Sequence, residues 1–281
     1  MIKITPQEFD AFSKYILEIS GIALSKGKEY LIETRLNPVL TAYNCPSYSN
    51  LLTKTKSEFK KEIEKKIIDA ISTNETYFFR DKSPFELLQF KILPDLIDKR
   101  SRTRSGLRPS ISLWSAASST GQEIYSIAMA LNEMNITPKN YNIKLLGTDI
   151  SDAAVAQASY GKYNKFEIAR GLDQNRLNRY FTPAGEYWRI KDEIRFMVQF
   201  KKMNLMNPFV GLGKFDIILC RNVMIYFTTE NRRKIYSNIA KVLEPDGYLI
   251  IGATESLAND SDLFTPQRYL KSVFYQFKQQ A

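Results

Sequence analysis

The chain contains no histidine. That removes the commonest general base near neutral pH and the commonest transition-metal ligand. Ser-His-Asp hydrolysis, Cys-His proteolysis and HExxH zinc chemistry are excluded in their usual forms. Cysteine is nearly as scarce, with only Cys45 and Cys220 present. They lie far apart and outside any zinc or redox spacing, so both read as reduced thiols and no metal site is expected. Long apolar runs are missing as well. None reaches the roughly 20 residues that span a bilayer, and the opening MIKITPQEFDAF lacks the charged-then-apolar order of a secretory signal. No membrane insertion is expected, and the cytoplasm is the default address.

Folding capacity, by contrast, is ample. Hydrophobic residues make up 44% and aromatics 12% of the chain, enough for a substantial core. A length of 281 residues points to two domains. The formal charge of +10 favours an acidic or polyanionic partner and leaves nucleic acid, membrane and protein open. The densest basic stretch, KRSRTRSGLR from Lys99 to Arg108, is rich in Ser and reads as an exposed, solvated connection.

From Thr5 to about Ile71 apolar residues recur at three- and four-residue steps: Phe9, Phe12, Ile16 and Ile19, then Phe59, Ile63, Ile67 and Ile71. Such spacing lines one helical face. Thr5-Pro6, and Ser57 followed by acidic residues, read as helix starts in a small bundle. KTKSEFKKEIEKK presents a charged face that suits either a solubilising surface or a docking surface. Past the basic stretch the rhythm becomes short apolar strands separated by helical stretches. Strands are expected at 111–114, 145–148, 196–204, 215–220 and 248–252, and helices at 122–132, 151–159 and 229–243. Alternation of this kind predicts an α/β fold with a parallel, doubly wound sheet that binds ligands at the carboxyl ends of its strands. YWRIKDEIRFMVQF departs from it: alternating apolar residues around Lys191-Asp192 predict a hairpin over Glu186 to Phe200. The expected organisation is a helical domain over 1–75, a linker over 76–109 and an α/β domain over 110–281 with a β subdomain near 185–200.

Four segments carry chemistry. In ISLWSAASSTGQEIYSIAMAL a strand ends in small residues and reopens as a helix at Thr120-Gly121. This suits close approach of a cofactor or simply a tight turn, and it is neither a GxGxxG nor a phosphate loop. In KLLGTDIS, Asp149 ends the next strand, where it can accept two ribose hydroxyls or cap the following helix. In ISTNETYFFRDKSPF, Asn74, Thr76 and Arg80 stand among Tyr77, Phe78 and Phe79. Those aromatics suit a domain seam, while Arg80 suits bidentate pairing with an acidic substrate. In FDIILCRNVMIYF a buried strand ends at Arg221 and Asn222; Asn222 and the Val223 backbone can bond an amine or a purine edge, and Cys220 reads as a core thiol.

Together with MNL and GYLIIGATESL, these segments resemble, in order and over nearly the whole chain, the CheR family of chemotaxis receptor glutamate methyltransferases. The resemblance implies a class I S-adenosylmethionine-dependent methyltransferase, with a Rossmann-like doubly wound sheet, a small all-α N-terminal domain and a β-hairpin subdomain. It implies S-adenosyl-L-methionine as donor, S-adenosyl-L-homocysteine as product and no metal. By motif position, Asn74, Thr76, Arg80, Glu123, Asp149, Asn204, Leu205, Asn222 and Val223 look like cofactor contacts, with Arg80 and Tyr226 facing the reacting end. The implied partners are the cytoplasmic helices of methyl-accepting chemotaxis receptors, with a receptor C-terminal tether peptide at the hairpin and recruitment to receptor arrays at the membrane. Two positions depart from the family pattern: Gln122 stands where glutamate is usual and Ala117 where glycine is frequent. The implied reaction needs no general base, because a glutamate carboxylate is already ionised at neutral pH. A methyltransferase acting on RNA, prompted by the charge and the Lys99 to Arg108 cluster, and a receptor-binding module weakened in catalysis, prompted by Gln122, are the alternatives.

Overall fold

The computed structural model describes residues 2–103 and 108–278. The N-terminal unit is four helices, α1 (Pro6–Ser20), α2 (Glu29–Ala42), α3 (Tyr48–Ser57) and α4 (Glu62–Ile71). Thr5 opens α1 with a capping box. Its side chain accepts the Glu8 N–H, the Glu8 carboxylate accepts the Thr5 N–H, and Pro6 occupies the first helical position, where no N–H is needed. Phe9, Phe12 and Ile16 turn inward against Ile32, Leu36, Tyr48, Ile63 and Ile67, while Ile19 is only partly buried.

The expected helix start at Ser57 is corrected. Ser57 ends α3, the chain turns through Lys61 at φ 55°, and α4 begins at Glu62. Phe59, expected on the buried face, lies in that turn and is 99% exposed. The Glu58 carboxylate accepts the Ile63 N–H at 2.7 Å, so the acidic residue after Ser57 satisfies a free donor of the later helix.

A second correction concerns the basic stretch. After α5 (Ser83–Leu87) and a π-helical turn (Leu88–Ile92), α6 runs over Leu93–Thr103, so the first half of KRSRTRSGLR is helix. Arg100 is a structural clamp there, bonding Asp216 at 2.7 Å and Asp246 at 3.0 Å. The rest of the stretch, 104–107, lies outside the described residues.

The remaining elements run β1 (Ser110–Ala116), α7 (Gln122–Glu133), β2 (Asn142–Asp149), α8 (Asp152–Tyr160), β3 (Lys162–Asn164), α9 (Lys165–Ala169) and α10 (Gln174–Tyr180). Then come β4 (Phe181–Ala184), β5 (Tyr187–Ile190), α11 (Asp192–Arg195), β6 (Val198–Lys202), β7 (Phe215–Cys220), α12 (Thr229–Val242), β8 (Leu243–Ile251), β9 (Phe264–Tyr269) and β10 (Ser272–Phe277). Seven strands form one sheet in the order β6-β2-β1-β7-β8-β10-β9. The five from β6 to β8 pair in parallel, and β10 runs antiparallel to both β8 and β9. Both faces are covered, as a parallel sheet requires. Ile217 and Leu219 of β7 enter the core on one face, and Ile218 and Cys220 enter the core on the other.

The hairpin sits elsewhere than expected. β4 and β5 pair from Phe181↔Ile190 to Ala184↔Tyr187, so the turn falls at Gly185-Glu186, and β3 adds a third strand. Lys191-Asp192 opens α11, and Val198–Lys202 pairs with β2 in the large sheet. Gly185 at φ 69° supplies the left-handed position the turn needs, whereas Asp192 and Glu193 favour the first turn of a helix.

Candidate active site

Strand order places the site. The chain leaves β1 toward β2 on one side, and β7 flanks β1 on the other, so a crevice opens at the carboxyl ends of these strands. A cavity open to solvent lies there. Asn74, Thr76, Arg80, Glu123, Asp149, Asn204, Leu205, Asn222, Val223 and Tyr226 all line it. Every site residue expected from the sequence is therefore at one cavity, although they come from five separate stretches of chain.

The turn between β1 and α7 forms the floor. Ala117 and Ser119 adopt left-handed φ of 56° and 52°, and Gly121 follows at 94°. A left-handed conformation costs a non-glycine residue roughly 1–2 kcal/mol, so Ala117 holds a backbone shape that favours glycine. A Cβ on Gly121 would stand 2.9 Å from the Ala158 Cβ, so helix α8 packs directly against the turn. Gln122 is buried, its Oε1 accepting the Thr120 hydroxyl at 2.8 Å.

Asp149 ends β2 and is buried. Its Oδ2 accepts the Ser119 N–H at 2.9 Å and its Oδ1 the Ser151 N–H at 3.0 Å. Burial pushes its carboxyl pKa up, and backbone donors from Ser151, Ser119 and Ile150 oppose that rise. The capping role open for Asp149 belongs instead to Ser151, whose side chain accepts the Ala154 N–H at the start of α8. Glu123, in the first turn of α7, accepts the Ser115 hydroxyl at 2.8 Å and Arg221 Nη1 at 2.7 Å.

Arg80 is half-buried at the opposite wall. Its Nη1 donates to the Glu75 carbonyl at 2.6 Å, and its guanidinium lies 5.7 Å from the centre of the Tyr77 ring. Neither contact neutralises its charge. Phe79 and Asp81 on either side adopt φ of 53° and 55°. Asn222, at φ 56°, donates its N–H to Glu255 Oε2 at 2.9 Å. Asn204 reaches across to the helical unit, its Nδ2 donating to the Ile19 carbonyl at 2.9 Å.

Several lining residues carried no expectation. Ser20 and Ile22 come from the end of α1, Ser72 and Thr73 from the end of α4, and Ile150 and Met203 from the ends of β2 and β6. Glu255 was also missed. Its two oxygens accept the N–H groups of Gly252, Asn222 and Met224, which fixes the turns after β7 and β8. An acidic residue three positions after the strand-ending glycine was the available signal.

These groups fit a nucleoside carrying an amino-acid tail. A carboxylate offers about four lone-pair sites; in addition to the donors it already holds, Asp149 retains capacity for ribose hydroxyls. Ile150, Met203 and Leu205 give the cavity apolar walls, and Asn74, Arg80 and Glu123 give it polar ones. A doubly wound sheet, parallel from β6 to β8 and closed by antiparallel β10 and β9, together with this site defines an S-adenosylmethionine-dependent methyltransferase. Within that class the chain belongs to the CheR methyltransferase family, whose SAM binding domain matches residues 74–271 and whose all-alpha domain matches residues 7–72. It is 37% identical over 275 residues to the chemotaxis protein methyltransferase Cher2 of Pseudomonas putida, covering 96% of this chain and 98% of that protein. It is 38% identical over 280 residues to the chemotaxis protein methyltransferase of Vibrio parahaemolyticus, covering 99% of each. A chemotaxis protein methyltransferase of Borreliella burgdorferi is 36% identical over 278 residues and 96% of each chain. S-adenosylmethionine is thus the cofactor, and the relatives matched end to end are methyltransferases of chemotaxis.

Proposed function

We propose that the protein transfers methyl groups to glutamate side chains on the cytoplasmic helices of chemotaxis receptors, forming methyl esters. The observation that carries this reading is Arg80, a guanidinium in the wall of the cofactor cavity with no neutralising contact among the described residues. Such a group recognises a carboxylate by paired hydrogen bonds. Bound S-adenosylmethionine supplies an electrophilic methyl carbon. Asp149 holds ribose hydroxyls, Leu205 covers the base, and Asn204, Asn222 and Val223 complete that end of the cavity. Asn74, Thr76, Arg80 and Glu123 hold the tail. Arg80 and Tyr226 also meet the acceptor.

Arg80 orients the acceptor and does not activate it. A strong ion pair to the attacking oxygen would favour the reactant over a transition state that is losing charge. No proton has to be removed from an ionised carboxylate, which accords with a chain lacking histidine. In this reading the protein works in the cytoplasm at receptor arrays, and the sheet β3-β5-β4 receives a receptor tether peptide. The domains are taken as 1–75 and 110–281, with 76–109 between them. The RNA reading loses part of its motive, because Arg100 of the basic stretch is held by Asp216 and Asp246.

The test is incubation with labelled S-adenosylmethionine, receptor cytoplasmic fragments and total RNA, followed by mapping of the label. Base-labile label on glutamates is expected. Base-stable label, or label confined to RNA, would overturn the assignment.

A further inference from the structure

Arg221 closes β7 with a side chain only 1% exposed. One edge of its guanidinium faces the cofactor site, with Nη1 donating to Glu123 Oε2 at 2.7 Å. The other edge faces the Arg80 turn, with Nη2 donating to Asp81 Oδ2 at 2.9 Å and to the Arg80 carbonyl at 3.2 Å. That turn is not one the chain adopts unaided, since Phe79 and Asp81 both sit at left-handed φ. It is held from three sides. Ser126 Oγ accepts the Phe79 N–H at 2.9 Å, the Arg176 guanidinium lies 3.9 Å from the centre of the Phe79 ring, and Arg221 grips Asp81 and the Arg80 carbonyl. Only the Arg221 grip also touches a cofactor-site residue.

We infer that Arg221 is a positioning residue for methyl transfer, one guanidinium that fixes the donor-side carboxylate of Glu123 and the turn presenting Arg80 to the acceptor. This rests on the reading that Arg80 meets the acceptor carboxylate. Two physical features carry it. A planar fork with donors on two edges bridges groups on opposite sides, whereas a lysine ammonium is a single point of charge. Glu123 brings negative charge to a cavity that must admit an anionic acceptor, and Arg221, which lines the same cavity, compensates both that carboxylate and the one on Asp81. The bridging geometry leaves the buried Arg221 Nε without a hydrogen-bond partner among the described residues, so the two carboxylates dictate its orientation.

The test compares full-length Asp81→Asn, Arg221→Lys, Arg221→Gln and Arg80→Ala, each checked for folding by circular dichroism and thermal melting. Cofactor affinity is read by calorimetry, and kcat and KM with a receptor fragment. Asp81→Asn loosens the turn and leaves the Glu123 arm intact, so kcat is expected to fall by about tenfold or more while the cofactor Kd stays within about twofold. Arg221→Lys is expected to keep the cofactor Kd within about threefold without restoring kcat, and Arg221→Gln to lose both. A kcat within about twofold of the parent in Asp81→Asn, or full recovery of kcat in Arg221→Lys, would overturn the inference. If Arg221→Gln does not fold, Asp81→Asn and Arg221→Lys decide. Parent-like turnover in Arg80→Ala would remove the Arg80 reading itself, whereas a slow Arg80→Ala beside a normal Asp81→Asn would remove only the positioning role.

Discussion

Asp149 is pulled two ways: burial favours its neutral form, and the backbone donors of Ser151 and Ser119 favour its ionised form. Burial prevails, so the folded pKa lies above the ordinary 3.8. The folded state then holds the proton more readily than the unfolded state does. The penalty on the ionised form is absent below 3.8 and complete above the folded pKa, so this group's contribution to stability falls as pH rises through that window. In its proposed role Asp149 must be ionised to accept ribose hydroxyls, so cofactor affinity is expected to move the opposite way. Calorimetry across an acid series is expected to show affinity falling while the pH is still above 3.8. Asp149→Ala should weaken cofactor binding at neutral pH by about tenfold or more, the effect of losing charge-assisted hydrogen bonds of roughly 1.5–3 kcal/mol, with secondary structure retained. Ala117 allows a simpler test. Relief of its left-handed φ, set against glycine's greater unfolded-state entropy, predicts that Ala117→Gly stabilises the fold by up to about 1 kcal/mol in urea titration. The ten cavity residues were legible because each lies in a motif that closes a strand or opens a turn. The role of Arg221 was not, since it consists of bonds to Glu123 and Asp81, 98 and 140 positions away, whereas Glu255 left only the weak local signal of an acid three positions after Gly252.

Among the elements, α8 ties the two halves of the molecule. Ser151 caps its N-terminus, and Asp69 of α4 accepts the Ser151 hydroxyl at 2.7 Å and the Ala153 N–H at 3.2 Å. Ser151→Ala removes the cap and a partner of Asp69, and a loss of about 1–2 kcal/mol is expected in chemical unfolding. A double-mutant cycle with Asp69→Ala should show coupling, because the two side chains share a bond. The elements also mark the limit of periodicity as a guide. Alternation located both strands of the expected hairpin, but it cannot say which turn joins a strand to which partner. Gly185 settled one pairing, and the capacity of β2 to take another parallel neighbour settled the other. Helix α6 was missed because Arg and Ser dominate its last turns, while its buried anchors, Leu93 and Leu96, lie at its start.

On the scale of the whole molecule, the helical unit forms part of the cavity wall. Ile22 pairs with Phe227 in an isolated bridge, the Ala23 N–H donates to the Tyr226 carbonyl at 2.8 Å, and Asn231 Nδ2 donates to the Gly21 carbonyl at 3.3 Å. Ligand binding should therefore tighten the seam as well as the sheet. S-adenosylhomocysteine at about 100 times its Kd should stabilise the protein by about 2.7 kcal/mol, and hydrogen exchange at the Ala23 amide should slow. An unchanged Ala23 rate in the presence of bound ligand would show that the seam does not respond. The Asn204 to Ile19 bond at the same seam was invisible to sequence reading, because the two residues are separated by 185 positions and no local pattern records such a meeting.

Separations of this length have a consequence for synthesis. Gly21 waits for Asn231 across 210 positions. At about 5–20 residues per second the ribosome needs ~10–40 s to cover that distance. For that interval the emerging helical unit carries an unfinished flank, with the backbone of Gly21 to Ala23 open to water or to any strand-like neighbour. Throughout that interval nascent chains of this protein are open to misassembly along this flank.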